Sequence, residues 1–327
     1  MPSSTSNSKK RIVELMLAIA LAGLIGLAAE AFARSRGFAA EPNDDADLWS
    51  IERAKADDGS NVLAIAGSSR SQVGLKLSVL RERFPDKKVV QLSVAGGAPV
   101  TILNDLAHDK NFSGTVLCEV LPHLTFTNIE LAEPWPGYSS RQFSAGVESQ
   151  LRARLKAQFA MFRPDLAVSN VVTTISTSHR LPKPGGRTVS MDRQAEIDFS
   201  VSDAAAAETR YGEAYSAAGT VLSPAAMTEK VARLRRSVET IGHRGGSVVF
   251  FQMPSSGVVR EVEERRFPDD LCWNVFKSGI GAPAFRSFEV PTLAGFRCAE
   301  GAHLDRKDIV EFTRAFCDEL QRQSLVN

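Results

Sequence analysis

Asn61-Val62-Leu63-Ala64-Ile65-Ala66-Gly67-Ser68-Ser69-Arg70-Ser71-Gln72 is the stretch on which the fold turns. An apolar run from Val62 to Ala66 meets a glycine and two serines, and a helical pattern opens directly afterwards. An apolar run this short, bounded by turn residues, reads as a strand covered on both faces, which is the situation of a parallel sheet. Its exit through Gly67 and Ser68 into a helix is a strand-to-helix junction, the repeating joint of α/β folds.

The same alternation extends in both directions. Further strands are expected at Val89–Val94, Thr115–Leu121, Leu166–Val172 and Ser247–Met253, each with β-branched or aromatic residues. Helices are expected over Val73–Phe84, Pro99–Asp109, Ala145–Phe162, Ala225–His243 and Arg306–Gln323. In the last of these, Ile309, Phe312, Phe316 and Leu320 share one face at helical spacing and read as core. Two long segments break the rhythm. Thr125–Phe143 carries Trp135 and Tyr138, and Thr174–Ser223 carries Pro182, Pro184 and the small-residue run Ala204–Ala207. Both follow expected strands at the carboxyl edge, where open α/β sheets bind ligands, so they read as lids or docking surfaces.

At the N-terminus, Lys9, Lys10 and Arg11 precede an apolar run, and Glu41, Asp44, Asp45 and Asp47 come after it. The run divides the chain into a cytoplasmic start (1–11), a transmembrane signal anchor (12–33), a linker (34–60) and one exported domain (61–327). Its length suits a bilayer, and the basic cluster ahead of it places the N-terminus in the cytoplasm and the domain in the periplasm or another extracytoplasmic space. Ala31-Phe32-Ala33 also has the small-x-small form of a cleavage site, so a removed signal peptide is the competing reading. Export follows from both.

Composition excludes several classes. Lys and Arg number 39 against 38 Asp and Glu, which gives no field for nucleic acid. His108, His123, His179, His243 and His303 are scattered, and Cys118, Cys272, Cys298 and Cys317 form no Cys-x-x-Cys pair, so no metal site is expected. Phosphate-loop and dinucleotide glycine motifs are absent, and no cofactor is expected. Cys118 and Cys317 read as buried small hydrophobes. For Cys272 and Cys298 a disulfide and free thiols are both open in an exported domain.

Chemistry concentrates in two places. Ser69 sits where backbone N–H groups at a helix start can stabilise an oxyanion, although serine at such a junction is also an ordinary helix cap. Near the C-terminus, Glu300 lies three residues ahead of His303 in a short loop. That spacing lets a carboxylate orient an imidazole acting as general base. Arg70 suits either a substrate carboxylate or sulfate, or an acidic partner within the fold. His123 reads as an ordinary loop histidine.

Together these segments resemble the SGNH (GDSL-type) hydrolases, in a membrane-anchored extracytoplasmic branch. Gly67-Ser68-Ser69 is similar to the family's Gly-Asp-Ser block, and Glu300-Gly301-Ala302-His303 to its Asp-x-x-His block. Gln91-Leu92-Ser93-Val94-Ala95-Gly96-Gly97 stands where the family's glycine block does. The resemblance implies a three-layer flavodoxin-like α/β sandwich with a mainly parallel sheet. It also implies Ser69 as nucleophile, His303 as base, Glu300 as orienting acid, and the amides of Ser69 and Gly96 as oxyanion donors, with Ser68 and Arg70 available to substrate. The family's third-block Asn is missing: the third strand reads Val116-Leu117-Cys118-Glu119-Val120-Leu121-Pro122-His123, and Asn128 or Asn170 would have to replace it. Glu119, if it faced the site, would oppose a developing oxyanion.

The function expected is an esterase or O-acyltransferase acting on acyl, and by analogy acetyl, esters of envelope or exopolysaccharide sugars. The other expectation is a non-catalytic SGNH-like domain that binds polysaccharide or serves a membrane system. Expected partners are an acylated carbohydrate or other ester, the membrane through the N-terminal helix, and an envelope protein.

Overall fold

In the computed structural model, which describes residues 5–131, 143–201 and 203–326, five short strands form one all-parallel sheet. They are β1 (Val62–Ala66), β2 (Lys88–Gln91), β3 (Thr115–Glu119), β6 (Ser247–Gln252) and β7 (Ala284–Arg286), in the order β2-β1-β3-β6-β7. β1 lies between β2 and β3, with Leu63 opposite Val89 on one side and opposite Thr115 on the other. Two further strands, β4 (Arg187–Val189) and β5 (Ala195–Ile197), form a separate antiparallel hairpin.

Successive residues of a strand point to opposite faces, and the core divides accordingly. Val62, Ala64, Ala66, Val116, Cys118 and Phe250 belong to one layer, and Leu63, Ile65, Leu117, Val249 and Phe251 to the other. The first layer is covered by α2 (Ala46–Ala54), α5 (Pro99–His108), α10 (Pro224–Gly242) and α12 (Trp273–Gly279), through residues such as Trp49, Ile102, Met227 and Phe276. The second is covered by α4 (Leu77–Arg83) and α13 (Ile309–Arg322), through Leu80, Ile309, Phe312, Phe316 and Leu320. Burying each of those α13 side chains contributes about 1.5–3 kcal/mol. The other helices are α1 (Thr5–Ser35), α3 (Ser69–Gly74), α6 (Pro122–Thr125), α7 (Phe143–Lys156), α8 (Val168–Ser178), α9 (Ala204–Ala217) and α11 (Gly257–Arg266). The expected α/β class, with a parallel sheet between helical layers, is what the chain adopts.

The strand expected at Leu166–Val172 is not one. Those residues enter α8, whose Val168, Val171, Val172 and Ile175 follow the i, i+3, i+4, i+7 spacing of a helix, and the β-branched content had masked that spacing. The fifth strand of the sheet is β7, three residues long and ending in an arginine, which gives almost no apolar signal. The helix expected over Val73–Phe84 is two. It starts at Ser69 and breaks after Gly74, where any Cβ would collide with Met253, and Leu75 is extended. Residues 34–60, read as linker, include α2, whose Asp45 caps the backbone N–H groups of Asp47 and Leu48. Trp135 and Tyr138 lie outside the described residues.

By contacts the chain separates into two units: Met1–Asn43 with Leu151–Pro184, and Asp44–Gln150 with Gly185–Asn327. The second unit contains the sheet. In the first, α1 is long and apolar enough to cross a membrane, with a mean hydropathy of 2.4 over its most apolar stretch.

Candidate active site

Gly67 ends β1 in a space that admits no side chain. A Cβ there would run into Ser71 Oγ and fall 2.8 Å from Ser93 Oγ and 2.9 Å from Glu119 Oε2. The chain then turns at Ser68, the N-cap of α3, whose Oγ accepts the Arg70 N–H at 3.1 Å. Ser69 is thereby the first helical residue, partly exposed, and its Oγ lies 2.9 Å from His303 Nε2.

His303 is held from its other side by Glu300. The carboxylate accepts from the ring Nδ1 and, at 3.1 Å, from the His303 backbone N–H. Both residues are buried. With Nδ1–H donating to Glu300, Nε2 is left to accept the Ser69 hydroxyl proton, the tautomer a general base needs. The loop that carries the pair is tied to the end of β6. Ser256 N–H donates to Gly301 O at 3.0 Å, and Ser256 Oγ accepts the Cys298 N–H at 2.9 Å. Gly301 sits at φ +89°, a conformation open to glycine, and a Cβ there would fall 2.7 Å from Val259 Cγ2.

Glu119 is buried and hydrogen-bonded to the serine junction. Its Oε2 accepts from Ser68 N at 2.7 Å, Ser68 Oγ at 2.9 Å and Ser71 Oγ at 2.9 Å, from beneath the turn. The Glu119 carboxylate is therefore a brace for the serine junction. Ser68, expected to be available to substrate, is buried and bound to that brace. Arg70, expected as a substrate contact or an internal partner, takes the internal role. It is buried, donates to Glu263 Oε1 at 2.7 Å and lies 5.1 Å from the centre of the Tyr215 ring. Burial opposes its charge, but Glu263, then Tyr215 and Glu119, outweigh burial and hold its pKa well above the ordinary value.

Gly96 is exposed at φ +72°, third in the turn Val94–Gly97, where positive φ calls for glycine. The Val94 N–H donates to Gly67 O at 3.0 Å, which sets this loop beside the serine junction. Asn128 Oδ1 accepts the Thr220 N–H and Asn170 Nδ2 donates to Pro164 O. Cys272 and Cys298 are both free and buried, and they belong to core layers on opposite faces of the sheet, so the disulfide left open by the sequence does not form. Among the described residues no His, Cys, Asp and Glu cluster could hold a metal ion.

Two residues near the triad carried no sequence signal beyond an i, i+4 tyrosine pair. Tyr211 of α9 places its ring 5.6 Å from the His303 ring, and Tyr215 stacks on His123 at 4.1 Å. Burial, with the Arg70 and Arg266 cations, pushes the His123 pKa down to about 3. The folded pKa lies below the unfolded one, so the unfolded chain binds the extra proton on acidification. The contribution is complete above the ordinary value of 6.5 and is lost as pH falls towards about 3. Urea denaturation of His123→Phe beside the wild type is therefore expected to show a shallower loss of stability between those pH values. Equal slopes would refute the assignment. Gly67→Ala is expected to cost about 1–3 kcal/mol by overpacking and to separate Ser69 from His303. The check is thermal unfolding together with labelling of Ser69 by a fluorophosphonate.

These features define a flavodoxin-like parallel α/β domain with a Ser–His–Glu hydrogen-bonded chain at the carboxyl edge of its sheet. No family model matches the chain, and no curated protein matches it. Among solved structures it is similar to that of TesA, at 11% identity over 80% of this chain and 98% of TesA, with a TM-score of 0.34.

Proposed function

We propose that this chain is a serine esterase or O-acyltransferase, and the 2.9 Å approach of Ser69 Oγ to His303 Nε2 carries the reading. Ser69 Oγ attacks the ester carbonyl while His303 Nε2 takes its proton, and Glu300 stabilises the imidazolium. The amides of Ser69 and Gly96 receive the oxyanion. His303 then protonates the departing alkoxide, and the acyl group rests on Ser69 until water or a sugar hydroxyl, deprotonated by His303, removes it. The motif order and the Ser68–Glu119 brace support an SGNH-type site in which Glu119 takes a structural place. The substrate class proposed is acyl esters, acetyl among them, of envelope or exopolysaccharide sugars. With α1 as an uncleaved anchor and its N-terminus cytoplasmic, the domain works in the periplasm or its equivalent, beside an envelope partner.

The second reading, a non-catalytic SGNH-like domain that binds polysaccharide or assists a membrane system, is favoured by one observation: the hydrogen bonds of Asn128 and Asn170 run to Thr220 N and Pro164 O, and neither goes to the serine junction. Full-length protein in detergent separates the two. Turnover of p-nitrophenyl acetate and labelling of Ser69 by a fluorophosphonate are expected. Absence of both would leave the binding reading.

A further inference from the structure

Among the described residues, α8 is a helix that no neighbour buries. Its eleven residues, Val168-Ser-Asn-Val-Val-Thr-Thr-Ile-Ser-Thr-Ser178, carry no charge, and none is buried. Val, Ile, Thr, Ser and Asn are poor helix formers, and a helix of this length is marginal in water without tertiary packing. Val168, Val172 and Ile175 lie on one stripe with exposures of 80%, 60% and 42%. The turn before it adds exposed Phe159 and Phe162, packed edge to face at 6.0 Å, and α7 adds exposed Leu151 and Leu155. Apolar surface gathered this way marks an interaction site rather than a solvent face.

The same unit supplies the occupant. Ala160 is buried with Ala33 and Phe38 at the end of α1, with Met161 and Leu166 packed against them. The Met161 N–H donates to Glu30 Oε2 at 2.9 Å, and Met161 Cε lies 4.0 Å from where a Cβ on Gly26 would stand. Gly26 is seven residues inside Ala33, so Met161 meets α1 about 10 Å along its axis, within its apolar stretch. Basic residues edge the apolar segment, with Arg152, Arg154 and Lys156 before it and Arg180 and Lys183 after it.

We propose that Leu151–Pro184 is an interfacial collar that inserts the apolar stripe of α8, with Phe159 and Phe162, into the lipid leaflet on the exported side, next to α1, while its basic edge meets anionic headgroups. The lipid boundary rewards internal backbone hydrogen bonding and covers the apolar face, which are the two things α8 lacks in water. The collar rests on the reading of α1 as a membrane span. It also requires that α1 be retained, because Ala33, within the Ala31–Ala33 cleavage motif, belongs to the core of this unit.

The test uses the full chain in phosphatidylcholine–phosphatidylglycerol vesicles, with an environment-sensitive fluorophore on Val172→Cys, Leu21→Cys or Lys277→Cys, all exposed positions. With lipids carrying a nitroxide near the headgroup, the Val172 label is expected to blue-shift and lose fluorescence, and the Lys277 label to do neither. Lipids carrying the nitroxide deep in the chain are expected to quench the Leu21 label. Quenching at Leu21 without quenching at Val172 overturns the collar while leaving the anchor intact. A Val172–Val172 cross-link between chains without lipid quenching overturns it in favour of a second copy. If neither Leu21 nor Val172 is quenched, the anchor reading falls and the collar with it.

Discussion

Ser69→Ala is expected to lower ester turnover by about 10⁴–10⁶-fold, since a residue that forms the covalent intermediate acts as a unit with its base. Ser69 Oγ makes its contact with His303 from the first residue of a helix, and the turn that places it is braced through Ser68, Ser71 and Gly67. Alanine at position 69 removes the oxygen and leaves those braces in place, so the thermal midpoint should hold while turnover is lost. His303→Ala should cost about as much, and the double variant little more than either alone, because nucleophile and base contribute to one step. Glu300→Gln should cost less. An amide at that position has one acceptor oxygen for the two donors, Nδ1–H and the His303 N–H, and it also forfeits the stabilising charge beside the imidazolium. Additive losses across Ser69 and His303 would show that the two do not work as a pair, and unchanged turnover in Ser69→Ala would exclude the nucleophile.

The second large effect is on stability. Arg70→Met is expected to destabilise the domain by about 3–5 kcal/mol, because it leaves the Glu263 carboxylate buried without its cation. Ser255 Oγ at 2.7 Å and Gln252 Nε2 at 3.5 Å remain as donors to Glu263 Oε2 but bring no formal charge. Removing both partners in Arg70→Met/Glu263→Leu should return most of the loss, since a well-packed apolar pair is often as stable as a buried ion pair. Urea denaturation of the single and double variants measures both numbers. A double variant no better than Arg70→Met would show that the guanidinium matters through its packing on Tyr215 rather than through Glu263.

How much of this could be read from residues alone follows from what each element buries. β1, β3 and β6 are covered on both faces, so their apolar runs stand out and their places were legible. β7 shows three residues and ends on Arg286, whose side chain reaches Asp269 and Glu289, and nothing in Ala-Phe-Arg marks a strand. α8 read as a strand because its β-branched residues satisfy two periodicities at once over a short window. At the site, the residues with motif spacing were legible as a group, and the structure brings Ser69, His303 and Glu300 into one hydrogen-bonded chain. Ser68 was not, and Arg70 stood open between two roles, because adjacency to a serine does not say which way a side chain turns. Both turn inward, towards carboxylates 51 and 193 positions away in the chain. Tyr211 was invisible for the same reason: α9 follows an irregular polar stretch, and only the folded chain sets its ring against His303.

The four buried thiols set the time at which this protein is open to oxidation. Burial raises Cys272 to about 11 and both Cys298 and Cys317 to about 12, and all four cysteines are unpaired. Burial both disfavours the reactive thiolate and closes the sulfurs to solvent, so the folded domain resists disulfide exchange. In the oxidising compartment proposed for it, the hazard falls in the interval between emergence from the membrane and closure of the sheet. During that interval Cys118 and Cys272 on one face, and Cys298 and Cys317 on the other, are free to pair in ways the finished fold forbids. Yield in that compartment would then track how fast the two helical layers close over the sheet, whatever the stability of the final state.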